Sequence, residues 1–213
     1  ESLGEEVRHH ELVAERLAER WHTVLPARFG RVYRDDEGVL AALRAERENI
    51  ERAIERLAGR EEWGLRLWGD RSVLGPRLAA SDEEIGRLDQ EGHGSMPGRA
   101  FLLRRKRAER LARLVADELD AASREVLRSV SPHVEDARAQ GAGAGKRGKS
   151  ALDLILSVAC LIHRRERQAF LEALEVAGAP RLADGFVVET TGPRPAYNFL
   201  DLFHKEEAHS HEA

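Results

Sequence analysis

One helical stripe constrains this chain more than any other feature. From about Arg99 to Val130, the residues Ala108, Leu111, Val115, Leu119, Ala122, Val126 and Val130 recur three or four positions apart and keep to one face through about eight turns, with Pro97 just before the start. The first turns of this helix are unusual. Arg99, Arg104, Arg105, Lys106, Arg107, Arg110 and Arg113 crowd the end where the backbone dipole already repels cations, so acidic groups are expected to compensate them. Those acids can come from the acidic linker before the helix, from an earlier helix, or from an acidic partner protein. A nucleic-acid interface built on Arg104, Arg105 and Arg107 would want interleaved aromatic residues, which are missing, and the net charge of -4 gives no general attraction to phosphate backbones.

The segments before this helix set up its surroundings. Leu3, Val7, His10, Ala14, Leu17 and Trp21 alternate at spacings of four and three, which predicts a first helix with His10 hydrogen-bonded at its packing surface. HTVLPARFGRVY follows, where Pro26 and Gly30 stop helical continuation and the β-branched and aromatic residues favour extended chain. Asp35 and Asp36 then cap one helix whose apolar face holds Leu40, Leu43, Ile50, Ile54 and Leu57 and which stops near Gly59. EEWGLRLWGD, from Glu61 to Asp70, alternates Trp63, Leu65 and Leu67 against Glu62, Gly64 and Arg66 before Trp68 ends the run, and this predicts a strand with one buried face. From Arg71 to Gly98, glycines, acids and helix breakers predict a mobile excursion with at most a short helix where Ser81 and Glu84 form a capping box.

After the long helix, SVSPHVEDARAQ allows a short edge strand around Val134, and ALDLILSVACLIHR predicts a strong strand. RRERQAFLEALEVAG predicts a helix ending at Gly178 that buries Phe170, Leu171, Leu174 and Val176, and GFVVETTG supplies a last strand. The order from Glu61 is strand, long helix, weak strand, strong strand, helix, strand. That is the split βαβ order of a ferredoxin-like α+β sandwich, an antiparallel sheet with two helices on one face. The expected organisation is a mainly helical N-terminal domain over 1–60 with LPARFG as a strand segment, an α+β domain over 61–200 with mobile insertions near 71–98 and 140–150, and a short, flexible polar tail over 201–213.

GAGKRGKS, from Gly143 to Ser150, matches the phosphate-cradling pattern G-x-x-x-x-G-K-[ST]. The pattern works only when a buried strand leads in and a helix leads out, because amides at the helix N-terminus must converge on the phosphates. Here a polar stretch precedes it and a strand-forming run follows, so a flexible hairpin connection is expected; an NTP-dependent remodelling enzyme using Gly143 to Ser150 is the alternative. Other chemistry is sparse. No serine sits at a strand-to-helix nucleophile turn, and Cys160 lies among apolar neighbours. His204, His209 and His211 lie in the polar tail, which offers no fixed scaffold for a metal. No cofactor or metal is expected and the chain reads as non-catalytic. No apolar run approaches the ~20 residues of a membrane span, no signal-peptide pattern is present, and a lone cysteine fits a reducing compartment, so a cytoplasmic protein is expected. The first residue is Glu1 and not an initiating Met, which points to processing or to a segment of a longer chain.

Two punctuated motifs carry a resemblance. VLPARFGRVY (Val24 to Tyr33) and TGPRPAYNF (Thr191 to Phe199) are similar to the LP-x-RFG and TGP-x-x-x-Y-x-F segments of the gas vesicle protein F/L family, GvpF/GvpL. GREEWG (Gly59 to Gly64), MPGRAFLLRRK (Met96 to Lys106), LILSVACLIHR (Leu154 to Arg164) and the position of His10 resemble the same family in the same order, across nearly the whole chain. Arg194 and Ala196 depart from it, standing where the family commonly has Trp and Pro, so this motif is less apolar. The family also begins with strands ahead of its first helix; either they precede this sequence or the first domain relies on something else to cover its apolar face. The resemblance implies a gas vesicle assembly or structural accessory protein, cytoplasmic and vesicle-associated. Such a protein would bind the apolar shell subunit and other accessory proteins, without nucleic acid or membrane, and limit premature aggregation. The contact surfaces it points to are Pro26, Arg28 and Phe29; Arg104, Arg105 and Arg107; and Pro193, Tyr197 and Phe199. Pro193 and Pro195 should stiffen the last motif as extended chain, with Tyr197 and Phe199 as anchors either for a partner or for folding back onto LPARFG. Arg28 is left to pair with an acid of another segment or with a partner.

Overall fold

The computed structural model describes residues 3–21, 23–27, 29–141 and 152–200. In chain order these form α1 (Leu3–Arg20), α2 (Asp36–Ala45), α3 (Arg47–Leu57), β1 (Arg60–Asp70), α4 (Arg71–Ser81), α5 (Glu83–Gly92), α6 (Pro97–Val130), β2 (Asp136–Ala139), β3 (Leu152–His163), α7 (Arg167–Gly178) and β4 (Phe186–Arg194). The strands make one antiparallel sheet in the order β2-β3-β1-β4. The expected α+β class, with an antiparallel sheet covered by helices, is what the chain adopts.

β1 lies inside the sheet, pairing Leu65 with Val158 of β3 on one side and with Thr190 of β4 on the other. Glu61, Glu62 and Trp63 are buried in succession although neighbours on a strand point to opposite faces, which corrects the one-sided expectation. Trp68 also continues the strand instead of ending it. It follows a register shift that leaves Ile155 of β3 without an opposite number, and its indole Nε1 donates to Glu189 Oε2 at 2.8 Å. On one face Trp63, Leu65, Leu67, Val158, Cys160 and Ile162 pack with Leu74 of α4, Ala122, Val126 and Val130 of α6, and Phe170 and Leu174 of α7. Each large side chain removed from water there contributes roughly 1.5–3 kcal/mol. Ala159 and Leu161 alternate with those β3 residues and so point to the other face, where they meet Leu57, Ala196, Phe199 and Leu200 in a second core with Leu25 and Ala53 against it.

Several expectations change for physical reasons. The helix expected from Asp35 to Leu57 is two helices that bend at Glu46 (φ -98°, ψ 9°), with Asp35 capping the first by accepting from Gly38 N at 2.8 Å. Backbone bonds run on through the bend, from Glu46 N to Ala42 O and from Ile50 N to Glu46 O. Residues 71–98 hold two helices where at most a short one was expected. Asp70 accepts from Ser72 N, Asp82 and not Ser81 accepts from Ile85 N, and Leu74 and Ile85 are fully buried. Local caps and tertiary burial therefore outweigh the breakers Gly75 and Pro76. In α7, Phe170, Leu174 and Ala177 are the buried stripe and Val176 faces solvent. Thr23 to Ala27 forms no strand and runs as irregular chain into a turn at Gly30 (φ +85°).

α6 begins at Pro97 and only its second half, from Leu119 onward, joins the main core. Its first half is shouldered by α5 instead. Gly143 to Ser150 lies outside the described residues, but its neighbours are clear. The next element is β3, which pairs antiparallel with β2, so the connection runs from strand to strand and the helix a phosphate-binding loop requires does not follow.

Candidate functional site

His10 of α1 gathers the two punctuated motifs. Its Nε2 donates to Ala27 O at 2.9 Å, its ring meets Phe29 edge-on at 5.8 Å, and the Tyr197 ring lies tilted 6.4 Å away. Leu25 packs on the second core beside Phe199 and Leu200. The chain between Pro195 and Leu200 thus folds back against the LPARFG segment. Phe199 is spent inside, 2% exposed, with the Arg138 guanidinium 5.3 Å from its ring centroid. Pro26 is half-buried, while Phe29 and Pro193 stay exposed. Arg28 lies outside the described residues.

Two buried glutamates anchor this region; the alternation of β1 marked Glu62 only as part of the polar side of a strand and gave Glu61 no role. Glu62 accepts from Asn198 N at 2.9 Å and from Asn198 Nδ2 at 2.6 Å, tying the last segment to β1. Burial pushes the Glu62 carboxyl above its usual range, against the opposing pull of the Asn198 bonds. Burial also raises the Tyr197 phenol, with Glu11, Glu15 and Glu62 adding to it. Glu61 is the reverse case. Its burial alone would raise it, but the Arg167 fork at 2.7 and 2.5 Å and the Trp63 indole at 2.8 Å together hold it below the usual carboxylate range. Both carboxylates are committed to structural partners. Cys160 is pushed up to about 11 by burial and then by Glu62, which makes it an inert core thiol. Among the described residues no group of His, Cys, Asp and Glu is placed to hold a metal ion, and no helix is long and apolar enough to cross a membrane.

A cleft of about 790 Å³ opens between α1, the Thr23–Val24 segment and the end of β4. Arg60, Arg164, Arg167 and Arg194 line it, with Trp21 and Pro193 as apolar walls. Sequence reasoning missed it because its walls come from segments far apart in the chain.

The basic start of α6 forms a separate cluster. Arg99 pairs with Glu91 at 3.2 Å, Arg107 with Asp89 at 2.7 Å, and Arg110 with Asp82 at 2.8 Å and Glu84 at 3.2 Å. Of the three expected sources of compensating acid, the segment before the helix supplies it, folded as α5. Arg105 pairs within α6, with Glu109 at 2.9 Å, and Arg104 is exposed beside the apolar Phe101 and Leu102. A second exposed apolar surface lies on α1. Ala14 is buried, but Leu3, Leu17 and Trp21 of the same stripe, with Trp21 just past the helix, and neighbouring Val13 remain 43–70% exposed.

Comparisons with known proteins agree on one family. The family described as gas vesicle synthesis protein GvpL/GvpF matches residues 1–201. A gas vesicle protein L of Streptomyces sp. (strain CB03234) is 31% identical over 221 residues, covering 99% of this chain and 74% of that protein. The crystal structure of the gas vesicle protein GvpF from Anabaena sp. PCC7120 superposes with a TM-score of 0.73 at 15% identity, over 96% of this chain and 80% of that one. GvpF from Microcystis aeruginosa gives 0.65 at 17% identity, over 92% and 78%. These two structures establish likeness of fold.

Proposed function

This chain belongs to the GvpL/GvpF family of gas vesicle synthesis proteins, and from that premise we propose that it is a non-catalytic assembly factor that shields the apolar shell subunit until a growing vesicle accepts it. The accessory role in gas vesicle formation follows from the family; the partner and the mechanism are our reading. The observation that carries it is the open flank of α1, where Val13, Leu17 and Trp21 remain in solvent although the same helix buries Ala14. A contiguous apolar flank on a folded protein marks a surface for another polypeptide. A subunit that polymerises by burying apolar surface tends to aggregate while it waits, and covering that surface restrains nucleation. Exposed Phe29 and Pro193 border the same region, with Tyr197 and Phe199 holding it from inside and Pro26 fixing its backbone. Arg104, Arg105 and Arg107, beside Phe101 and Leu102, offer a second contact suited to other accessory proteins.

Co-expression with the shell subunit tests the reading. The parent chain should keep several-fold more shell subunit in the soluble fraction than a Leu17→Glu, Trp21→Glu double variant whose circular dichroism and melting match the parent. Equal solubility with the two chains would sink it.

A further inference from the structure

The geometry points to a second docking site of different chemistry: the cleft between α1 and the end of β4 takes an acidic polypeptide segment in extended conformation, laid along the outer edge of β4. This does not rest on the shell-subunit reading, although Trp21 and Pro193 border both surfaces.

Three observations converge. At about 790 Å³ the cleft falls within the size range of built binding sites. Its lining carries four arginines, Arg60, Arg164, Arg167 and Arg194, against the two carboxylates Glu15 and Glu61, in a chain whose net charge is -4. Arg60 and Arg167 are already fixed by Glu135 and Glu61, so their guanidinium groups are positioned before anything arrives. Finally, β4 is the last strand of the sheet and pairs on one side only, with β1, while Thr190 to Arg194 line the cleft. An unpaired strand edge supplies a row of backbone donors and acceptors for an added strand, and the arginines give that strand its preferred charge. Alternation along an added strand would place acidic residues toward the arginines and apolar ones toward Trp21 and Pro193.

Trp21 makes the test direct, because it is 59% exposed in the cleft wall whereas Trp63 and Trp68 are buried, so acrylamide quenching of tryptophan emission reports mainly on Trp21. The probes are a capped peptide alternating Glu and Val, its Lys and Val counterpart, inorganic phosphate, and an oligothymidylate. The expected result is that the acidic peptide alone protects Trp21, more weakly in high salt, and slows exchange of the β4 amides that face away from β1. Arg194→Glu should weaken that binding at least tenfold, and Thr190→Asp, which places an acid on the rim without removing an arginine, should do so independently, both with unchanged melting. Equal protection by the basic peptide, by phosphate or by the oligonucleotide overturns the proposal. So does protection of Trp21 without slower exchange in β4, or no protection by any probe.

Discussion

At Glu61 and Glu62 the chain buries two carboxylates in succession on β1, and their surroundings drive them in opposite directions. Glu62 sits above its ordinary value of 4.5, so its contribution is fully present below that pH and is lost as pH rises through the higher folded value. Glu61 sits below 4.5, so its contribution is present above that pH and is lost as acidification carries it toward the lower folded value. Glu62→Gln should therefore flatten the rise in melting temperature on going from neutral pH toward 5, measured against the parent. Glu61→Gln should cost about 1–3 kcal/mol at pH 7 by denaturant titration, toward the lower end because the Arg167 side chain is half in solvent. Gly192 is a different residue-scale constraint. Its φ of +153° suits glycine, and an added Cβ would stand 2.8 Å from the Trp63 ring and 3.0 Å from Glu62 O. Gly192→Ala should destabilise by about 2–3 kcal/mol, read from the same titration. None of this was visible in the string EEWG, because the partners Arg167 and Asn198 are 106 and 136 residues away from their glutamates. The role of His10 as a hydrogen-bonded packing residue was visible, because its place on an apolar stripe next to a proline-broken segment left it little else to do.

Among the elements, α5 and the first half of α6 depend on each other. Asp82 caps α5 through Ile85 N and pairs with Arg110, whose contact is the larger cause of its lowered carboxyl. Asp82→Ala should lower the melting temperature more than Glu84→Ala does, and added salt should narrow the difference, since only part of the loss is electrostatic. Strong periodicity made α6, β3 and α7 legible, and the turn residues Gly59 and Gly178 marked real ends. α4 was not legible, because RSVLGPRLAAS has Gly and Pro in its middle and only Leu74 as a fully buried anchor, and its cap, Asp70, belongs to the preceding strand. The bend at Glu46 was equally hidden, since the apolar stripe of α2 and α3 passes through it and two backbone hydrogen bonds still span it. The cleft and the buried glutamates share one cause of invisibility: each is assembled from segments whose proximity only the sheet order creates.

For the molecule as a whole, the sheet carries a core on each face, and the second is closed by the last described residues. Ending the chain after Arg194 removes Ala196, Phe199 and Leu200 and uncovers Leu57, Ala159 and Leu161, while Phe170, Leu65 and their neighbours stay packed. The truncated chain should keep most of its far-ultraviolet dichroism yet bind a dye that senses apolar surface and associate at lower concentration; unchanged dye binding would contradict the closure described above. The extent of α6 has a further consequence. At 34 residues it is about 51 Å long, against about 41 Å for the twelve residues of β3, and its first half runs out with α5 beyond the main core. It acts as a stiff boom, carrying Phe101 and Arg104 at its tip and the sheet at its base. A protein so shaped can hold two bodies at a set separation, and the reach of that spacer is written in the number of turns between Pro97 and Val130.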